Sequence, residues 1–441
     1  MKKINPARRI ALGFALVILV GALLLMLPIS SRSREVTPFM TSLFTSTSAT
    51  CVTGLTLANT GAHFSLFGQA VIITLIQLGG LGFMTILCFA FIVSSKHIGL
   101  QSRMMLAQSM GLDNVGGVVR LAKHVFMITA VVEGAGAAVL AVRFIPTYGL
   151  FKGLWYSVFH SVSAFCNAGF DIIGDGNSVL SYKHDPLVLI TLALLIIIGG
   201  VGFIVWEDVR NKRSWKKLTP YSKIIIITTI ILLVAGTAIY FVLEYNNPDT
   251  MGNDSVGEKF MLSFFQSVTT RTAGFDSIVQ DKLTPLSKVW GIILMMIGGA
   301  SGSTAGGVKV GTIALIIIAL FAVLRAKSEV VVYGRSVSVK TIMHAMALLI
   351  LWLVLTIVGA SLISYFDNQT MLNSMYEVAS AYSTVGLTVG VSETASLFTK
   401  MLLIVYMFFG RVGIMTISVV FIQNSARTVD IKYPEGKFLI G

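Results

Sequence analysis

The chain has 441 residues, 55% hydrophobic and 12% charged, with 33 Lys and Arg against 20 Asp and Glu and a mean hydropathy of +0.83. A soluble domain carries about 25% charged residues, so the composition excludes a soluble globular protein and points to the bilayer. The net charge of +13 does not indicate nucleic acid, because the basic residues lie in short stretches between apolar runs and not on one face.

A spanning helix takes roughly 20 apolar residues, and eight such runs are present. The first, Ile10 to Pro28, follows Lys2, Lys3, Arg8 and Arg9 and has the look of a signal peptide. Its length and the lack of a small-x-small cleavage site favour a retained span. Pro38 then opens a short helix over 39–50, too short to cross, which leads into Cys51-Val52-Thr53-Gly54 and a second span over 68–93 with Gly79-Gly80-Leu81-Gly82-Phe83 at its middle. This unit recurs. Repeat A covers 1–96 and repeat B 120–210, with a short helix over 150–165, Cys166-Asn167-Ala168-Gly169 and a span over 186–206. Repeat C covers 222–326, with a short helix over 257–270 and Arg271-Thr272-Ala273-Gly274. Its second span is interrupted over 298–311 by Gly298-Gly299-Ala300-Ser301-Gly302-Ser303-Thr304-Ala305-Gly306-Gly307 and, further on, Gly311. Repeat D covers 341–423, with a short helix over 370–382, Ser383-Thr384-Val385-Gly386 and a span over 400–423 holding Arg411; 424–441 is a polar tail. The final glycines are 115, 105 and 112 residues apart, the mark of one structural unit used four times.

The N-terminus, the linkers between repeats and the tail hold 21 of the 33 Lys and Arg. Short loops rich in Lys and Arg face the cytoplasm, so both termini are expected inside, with the short helices dipping in from the outer face. The expected fold is all-α integral membrane: four span–short helix–loop–span repeats, eight transmembrane helices in all, around a pseudo-fourfold central pore. Irregular backbone at membrane depth survives only where it is buried in protein or lines water. A ring of loop carbonyls there can replace the hydration shell of a cation, helped by the negative C-terminal ends of four short helices. The interrupted span in C reads as a gate, being small, flexible and rich in hydroxyls from Ser301, Ser303 and Thr304. It is no phosphate loop, since GxxxxGK[ST] is absent.

With these loops in view, the chain resembles the Ktr/Trk/HKT superfamily of cation-translocating proteins over essentially its whole length, and most closely the bacterial Ktr potassium-uptake membrane subunit. Thr272-Ala273-Gly274-Phe275 and the 298–311 interruption carry the resemblance most specifically. It implies potassium uptake across the bacterial cell membrane. Glycine at 54, 169, 274 and 386 goes with potassium preference in that family, and serine at the first of these positions with sodium passage. It implies that the 298–311 loop gates the pore and that Arg411 contacts this loop and adds a positive barrier. It implies a homodimer on a cytosolic nucleotide-binding regulatory ring that answers to ATP and ADP, with no cofactor in this chain beyond the transported potassium. The filter sequences depart from the TVGYG of potassium channels, which leaves sodium-coupled symport or a less selective cation channel as the alternative.

Arg411 at mid-span costs a few to more than ten kcal/mol unless paired or wetted; on the residues alone, a structural pair with carboxylates or carbonyls is as good a reading as a functional charge. Glu133, inside a span, is expected either to pair with a polar neighbour or to face water, in a structural rather than a functional role. Lys309 is expected to snorkel to the cytoplasmic interface. The thiols of Cys51 and Cys166 and the side chain of Arg271 share one repeat position and are expected to point away from the pore axis. Cys51, Cys88 and Cys166 show no CxxC or zinc spacing and read as free thiols. Inverted repeats, the mark of many secondary transporters, are absent. So are the converging titratable groups of an enzyme, and the four loops speak against a non-conducting scaffold.

Overall fold

The computed structural model describes residues 6–82, 104, 116–173 and 178–413. The far part of the second span of repeat A with Cys88, most of the first linker, the span of repeat D beyond Gly413 and the tail 424–441 lie outside the described residues.

Among these residues four helices are long and apolar enough to cross a bilayer: α1 (Pro6–Met26), α4 (Val118–Tyr148), α8 (Pro220–Glu244) and α12 (Val339–Asp367). Only 28–33% of their apolar windows is buried, and Leu12, Val131, Val234 and Met343 stand exposed on them. Each is followed by a short helix: α2 (Phe39–Cys51), α5 (Leu150–Phe165), α9 (Val256–Thr269) and α13 (Met371–Tyr382). These bury hydroxyls instead, including Ser46, Thr47 and Ser48 in α2 and Ser161 and Ser163 in α5. Apolar outside and polar inside is the reverse of a soluble fold and suits a lipid solvent.

The second spans depart from expectation. They begin as α3 (Leu66–Gly80), α6 (Pro186–Val201), α10 (Pro285–Met296) and α14 (Leu397–Val412), only 12–16 residues each. Asp185 and Thr284 cap α6 and α10 ahead of Pro186 and Pro285, a start that leaves no N–H orphaned at the first position. A break was expected in repeat C alone, yet repeat B is broken too, and α3 and α14 also stop at a left-handed glycine. Gly82, Gly202 and Gly413 stand at φ +79°, +96° and +86°, the left-handed stop that glycine makes without strain. In repeat B the chain resumes at once as α7 (Phe203–Lys212), bent 90° from α6; in C a loop leads to α11 (Val310–Leu324). Among the described residues four helices pass singly, and a fifth if α6 and α7 form one bent span; the rest of the eight expected spans includes stretches outside the described residues. The linker before α12 holds an unforeseen antiparallel hairpin, β1 (Val331–Val332) with β2 (Arg335–Ser336).

Each second span packs on the short helix of the following repeat. α3 meets α5, α6 meets α9, α10 meets α13, and α14 returns to α2. These contacts run from one repeat to the next and close a ring.

Candidate functional site

The ring is first set by serines. Ser46, Ser161 and Ser267 on the short helices donate to the carbonyls of Ile18 (2.7 Å), Glu133 (2.7 Å) and Leu233 (3.0 Å) on the preceding span. Three residues after each acceptor stands a glycine, Gly21, Gly136 or Gly236, where a Cβ would collide with the hydroxyl. In repeat D the arrangement is inverted: Tyr406 of α14 donates to Leu355 O at 2.6 Å beside Gly359.

The helices then deliver the four loops. In each, the residue two before the final glycine is left-handed: Val52 (φ 58°), Asn167 (58°), Thr272 (68°) and Thr384 (52°). The glycines themselves stand at 100°, 68°, 78° and 99°. A β-branched residue at positive φ is strained by about 1–3 kcal/mol, a cost kept only where the surroundings over-determine it. Here they do. Ser48 and Ser380 accept from Gly54 N (3.0 Å) and Gly386 N (3.1 Å), while Ser163 and Thr269 donate to Phe170 O and Phe275 O, both at 2.8 Å. Leu55, Phe170, Phe275 and Leu387 anchor the far side of each glycine in the core, at most 1% exposed.

The four glycines meet. A Cβ on Gly54 would stand 2.6 Å from Ala168 O, 3.2 Å from Gly169 Cα and 3.3 Å from Gly386 Cα; one on Gly274 would stand 3.2 Å from the Cα of both Gly169 and Gly386. The order A–B–C–D–A of the helix contacts is thus repeated at the glycines, where backbone touches backbone. On one side of the glycines lies a cavity of about 320 Å³ lined by Gly54, Gly169, Asp171 and Glu393. Glu377, not singled out from sequence, holds the 388–392 segment of repeat D just before Glu393: its carboxylate accepts from Thr388 Oγ1, Val389 N and Ser392 N.

On the other side of the glycines lies the repeat C loop. Its neck is pinned by Gly298 N to Val308 O (3.0 Å) and Val308 N to Met296 O (3.1 Å). Its body docks on the break of repeat B, with Ala300 N on Gly200 O (2.9 Å) and Phe203 N on Gly302 O (2.8 Å). Thr304 Oγ1 reaches Asn167 Oδ1 at 3.0 Å, and Gly306 lies against Thr384. Ser303 Oγ turns back to Ala300 O at 2.6 Å. Arg411 completes the set, donating through Nη1 to Thr304 O and through Nη2 to Gly79 O and, at 3.0 Å, Gly80 O. The loop is in this way tied to repeats A, B and D at once. Among the described residues Arg411 makes no ion pair with a carboxylate.

Three expected placements change. Gly311 is not in the loop: it lies in the first turn of α11 against Ile225 and Tyr221. Lys309 does not extend to the interface but folds onto its own loop, Nζ to Ala305 O at 2.6 Å. The loop itself is shorter than 298–311, since α11 starts at Val310. Glu133 pairs as expected, accepting from Gln77 Nε2 at 3.1 and 3.0 Å, and Cys166 Sγ donates to the same glutamine at 3.2 Å. Cys51 and Cys166 are free and buried, and Arg271 is buried with its Nε unpartnered among the described residues.

The comparisons fit this geometry. The family model for TrkH, described as a cation transport protein, matches residues 14–431. The potassium/sodium uptake protein NtpJ of Enterococcus hirae is 38% identical over 445 residues, covering 100% of this chain and 98% of its own. The Ktr system potassium uptake protein B of Bacillus subtilis is 38% identical over 441 residues, 100% of this chain and 97% of its own. The crystal structure of the potassium transporter TrkH from Vibrio parahaemolyticus matches with a TM-score of 0.73 at 18% identity, over 95% of this chain and 86% of that one, a likeness of fold. The chain belongs to the TrkH family of cation transport proteins.

Proposed function

We propose that the chain takes up potassium ions across the cell membrane as the ion-translocating subunit of a regulated system. The observation that carries this is the meeting of four strained, left-handed glycine loops, each held from behind by a hydroxyl. Carbonyls of Cys51–Gly54, Cys166–Gly169, Arg271–Gly274 and Ser383–Gly386 form the filter in this reading. The loop from Gly298 to Gly307 is the gate beneath it, and Arg411 is a positive barrier that also latches the gate. Asp171 and Glu393 at the outer mouth draw cations toward the ring. Both termini are cytoplasmic, from the distribution of Lys and Arg. Relatives named for potassium uptake, one of them within a Ktr system, support the substrate and a partnered assembly; a homodimer on a cytosolic nucleotide-binding ring is the form we assign to it.

The test is rubidium, potassium and sodium flux into liposomes for the wild type and Gly54→Ser. A Cβ at position 54 would press on Ala168 O and on two neighbouring glycines, at a φ that L side chains rarely adopt. The variant is expected to lose most discrimination between potassium and sodium. Selectivity unchanged by the substitution would remove the ring from the filter role. A second reading, sodium-coupled or mixed potassium and sodium passage, is favoured by the name of the Enterococcus hirae relative.

A further inference from the structure

We propose that a cleft at the outer edge of the repeat A–repeat B boundary binds one anionic phospholipid, with the phosphate in a basic pocket and an acyl chain in the groove between α1 and α3. The leaflet rests on the orientation proposed above; the binding does not.

Two cavities carry the argument. The first, of about 1290 Å³, is lined by Arg32 and Arg34 from the segment after α1, by Lys152 and Trp155 of α5, and by Phe67 and Gln69 of α3. Its lining among the described residues holds three cations and no carboxylate, and none of the three is in an ion pair there. All three side chains are exposed. Arg32 spends one N–H on Phe64 O at 3.3 Å, which leaves a guanidinium fork suited to phosphate oxygens. Lys152 is steered toward the cleft by the rings of Tyr148 and Tyr156, 5.5 and 5.3 Å away. Trp155 is fixed in its wall by a 2.9 Å bond from Nε1 to Gln69 Oε1.

The second cavity, of about 460 Å³, shares Phe67 with the first and continues it along α1 and α3. Apart from Thr74 its wall is apolar or glycine, running from Leu24 at the basic end to Leu16, about 12 Å at ~1.5 Å per helical residue. A free phosphate would have no use for this groove, and a neutral lipid none for the three cations. Ile29, Leu66 and Phe151, 62%, 65% and 88% exposed, rim the junction at the level where amphipathic and aromatic groups meet headgroups. Cations near a membrane surface favour anionic lipid there.

The experiment is native mass spectrometry of the full chain in detergent, offered equimolar phosphatidylglycerol and phosphatidylcholine with identical acyl chains. The wild type is expected to retain one phosphatidylglycerol with about tenfold preference. The triple variant Arg32→Gln, Arg34→Gln, Lys152→Gln should lose that preference. A matched triple in the cytoplasmic linker, Arg213→Gln, Lys216→Gln, Lys217→Gln, should keep it. Val20→Trp, at an exposed groove position, should displace the lipid with the cations intact, whereas millimolar inorganic phosphate should not. Equal retention of the two lipids by the wild type, preference surviving the first triple, binding that survives Val20→Trp, or displacement by phosphate would each overturn the proposal. None of these readings depends on ion flux, so they stand apart from the filter test.

Discussion

Arg411 touches three carbonyls that lie 107, 332 and 331 residues away in the chain, in repeats C and A. Its sequence context announced a charge at membrane depth but left the partner open, because nothing local encodes contacts at that range. The partners turn out to be backbone oxygens, with no compensating carboxylate among the described residues, so in the proposed reading the guanidinium sets a positive charge beneath the filter. In a site of intermediate dielectric one unit charge acts on a passing cation by a few kcal/mol at most. Removing it both lowers that barrier and frees Thr304 from repeat A. Arg411→Ala is therefore expected to raise cation flux by roughly three- to tenfold, the scale of about 1 kcal/mol. Arg411→Lys should fall between, since a single ammonium keeps the charge but not the fork that spans two repeats. Flux and selectivity equal to wild type in a well-folded Arg411→Ala protein would reduce this residue to packing.

The elements show where sequence reading stops. The four short helices and their glycine loops were legible because hydroxyl or small residues followed by a glycine recur at near-constant spacing. The stops of α3, α6 and α14 were not. Gly79-Gly80-Leu81-Gly82 and Gly199-Gly200-Val201-Gly202 sit inside apolar runs long enough to span, where small residues ordinarily mean close helix packing. Part of that reading holds: a Cβ on Gly79, Gly199 or Gly410 would collide with the carbonyl of Thr50, Phe165 or Tyr382 at the end of a short helix. The glycine three residues later has the other duty, a left-handed stop. Repeat B separates the two roles cleanly. At Gly200 an added methyl finds only Asn167 Nδ2 at 3.7 Å, whereas at Gly202, φ +96°, it meets Ala300 Cβ at 3.1 Å and Ser301 O at 3.2 Å. Gly202→Ala should cost about 1–3 kcal/mol and lower the thermal midpoint in detergent by several degrees, with Gly200→Ala close to wild type. Equal midpoints would show that the 90° turn does not depend on the glycine.

Across the whole molecule, one chain closes a ring by packing each second span on the next short helix, and the ion path proposed above runs where all four repeats contribute, with the apolar faces of the long helices exposed. That layout has an energetic consequence. The sequence carries no P-loop motif, and the proposed path is a line of carbonyls under an electric field. A monovalent cation crossing about 100 mV gains ~2.3 kcal/mol, enough for roughly 50-fold accumulation. Rubidium uptake into liposomes held negative inside should then plateau at the ratio set by the imposed potential, rise about 50-fold for each further ~100 mV, and require no nucleotide. A sodium gradient separates the two readings of the site. If the ring only conducts, an inward sodium gradient at fixed potential leaves the rubidium plateau unchanged or lowers it by competition at the same carbonyls. If sodium is coupled, the plateau climbs above the ratio that the potential alone allows. Accumulation that ignores the potential altogether would contradict both readings, because a charge moving through the ring of glycines must feel the field across it.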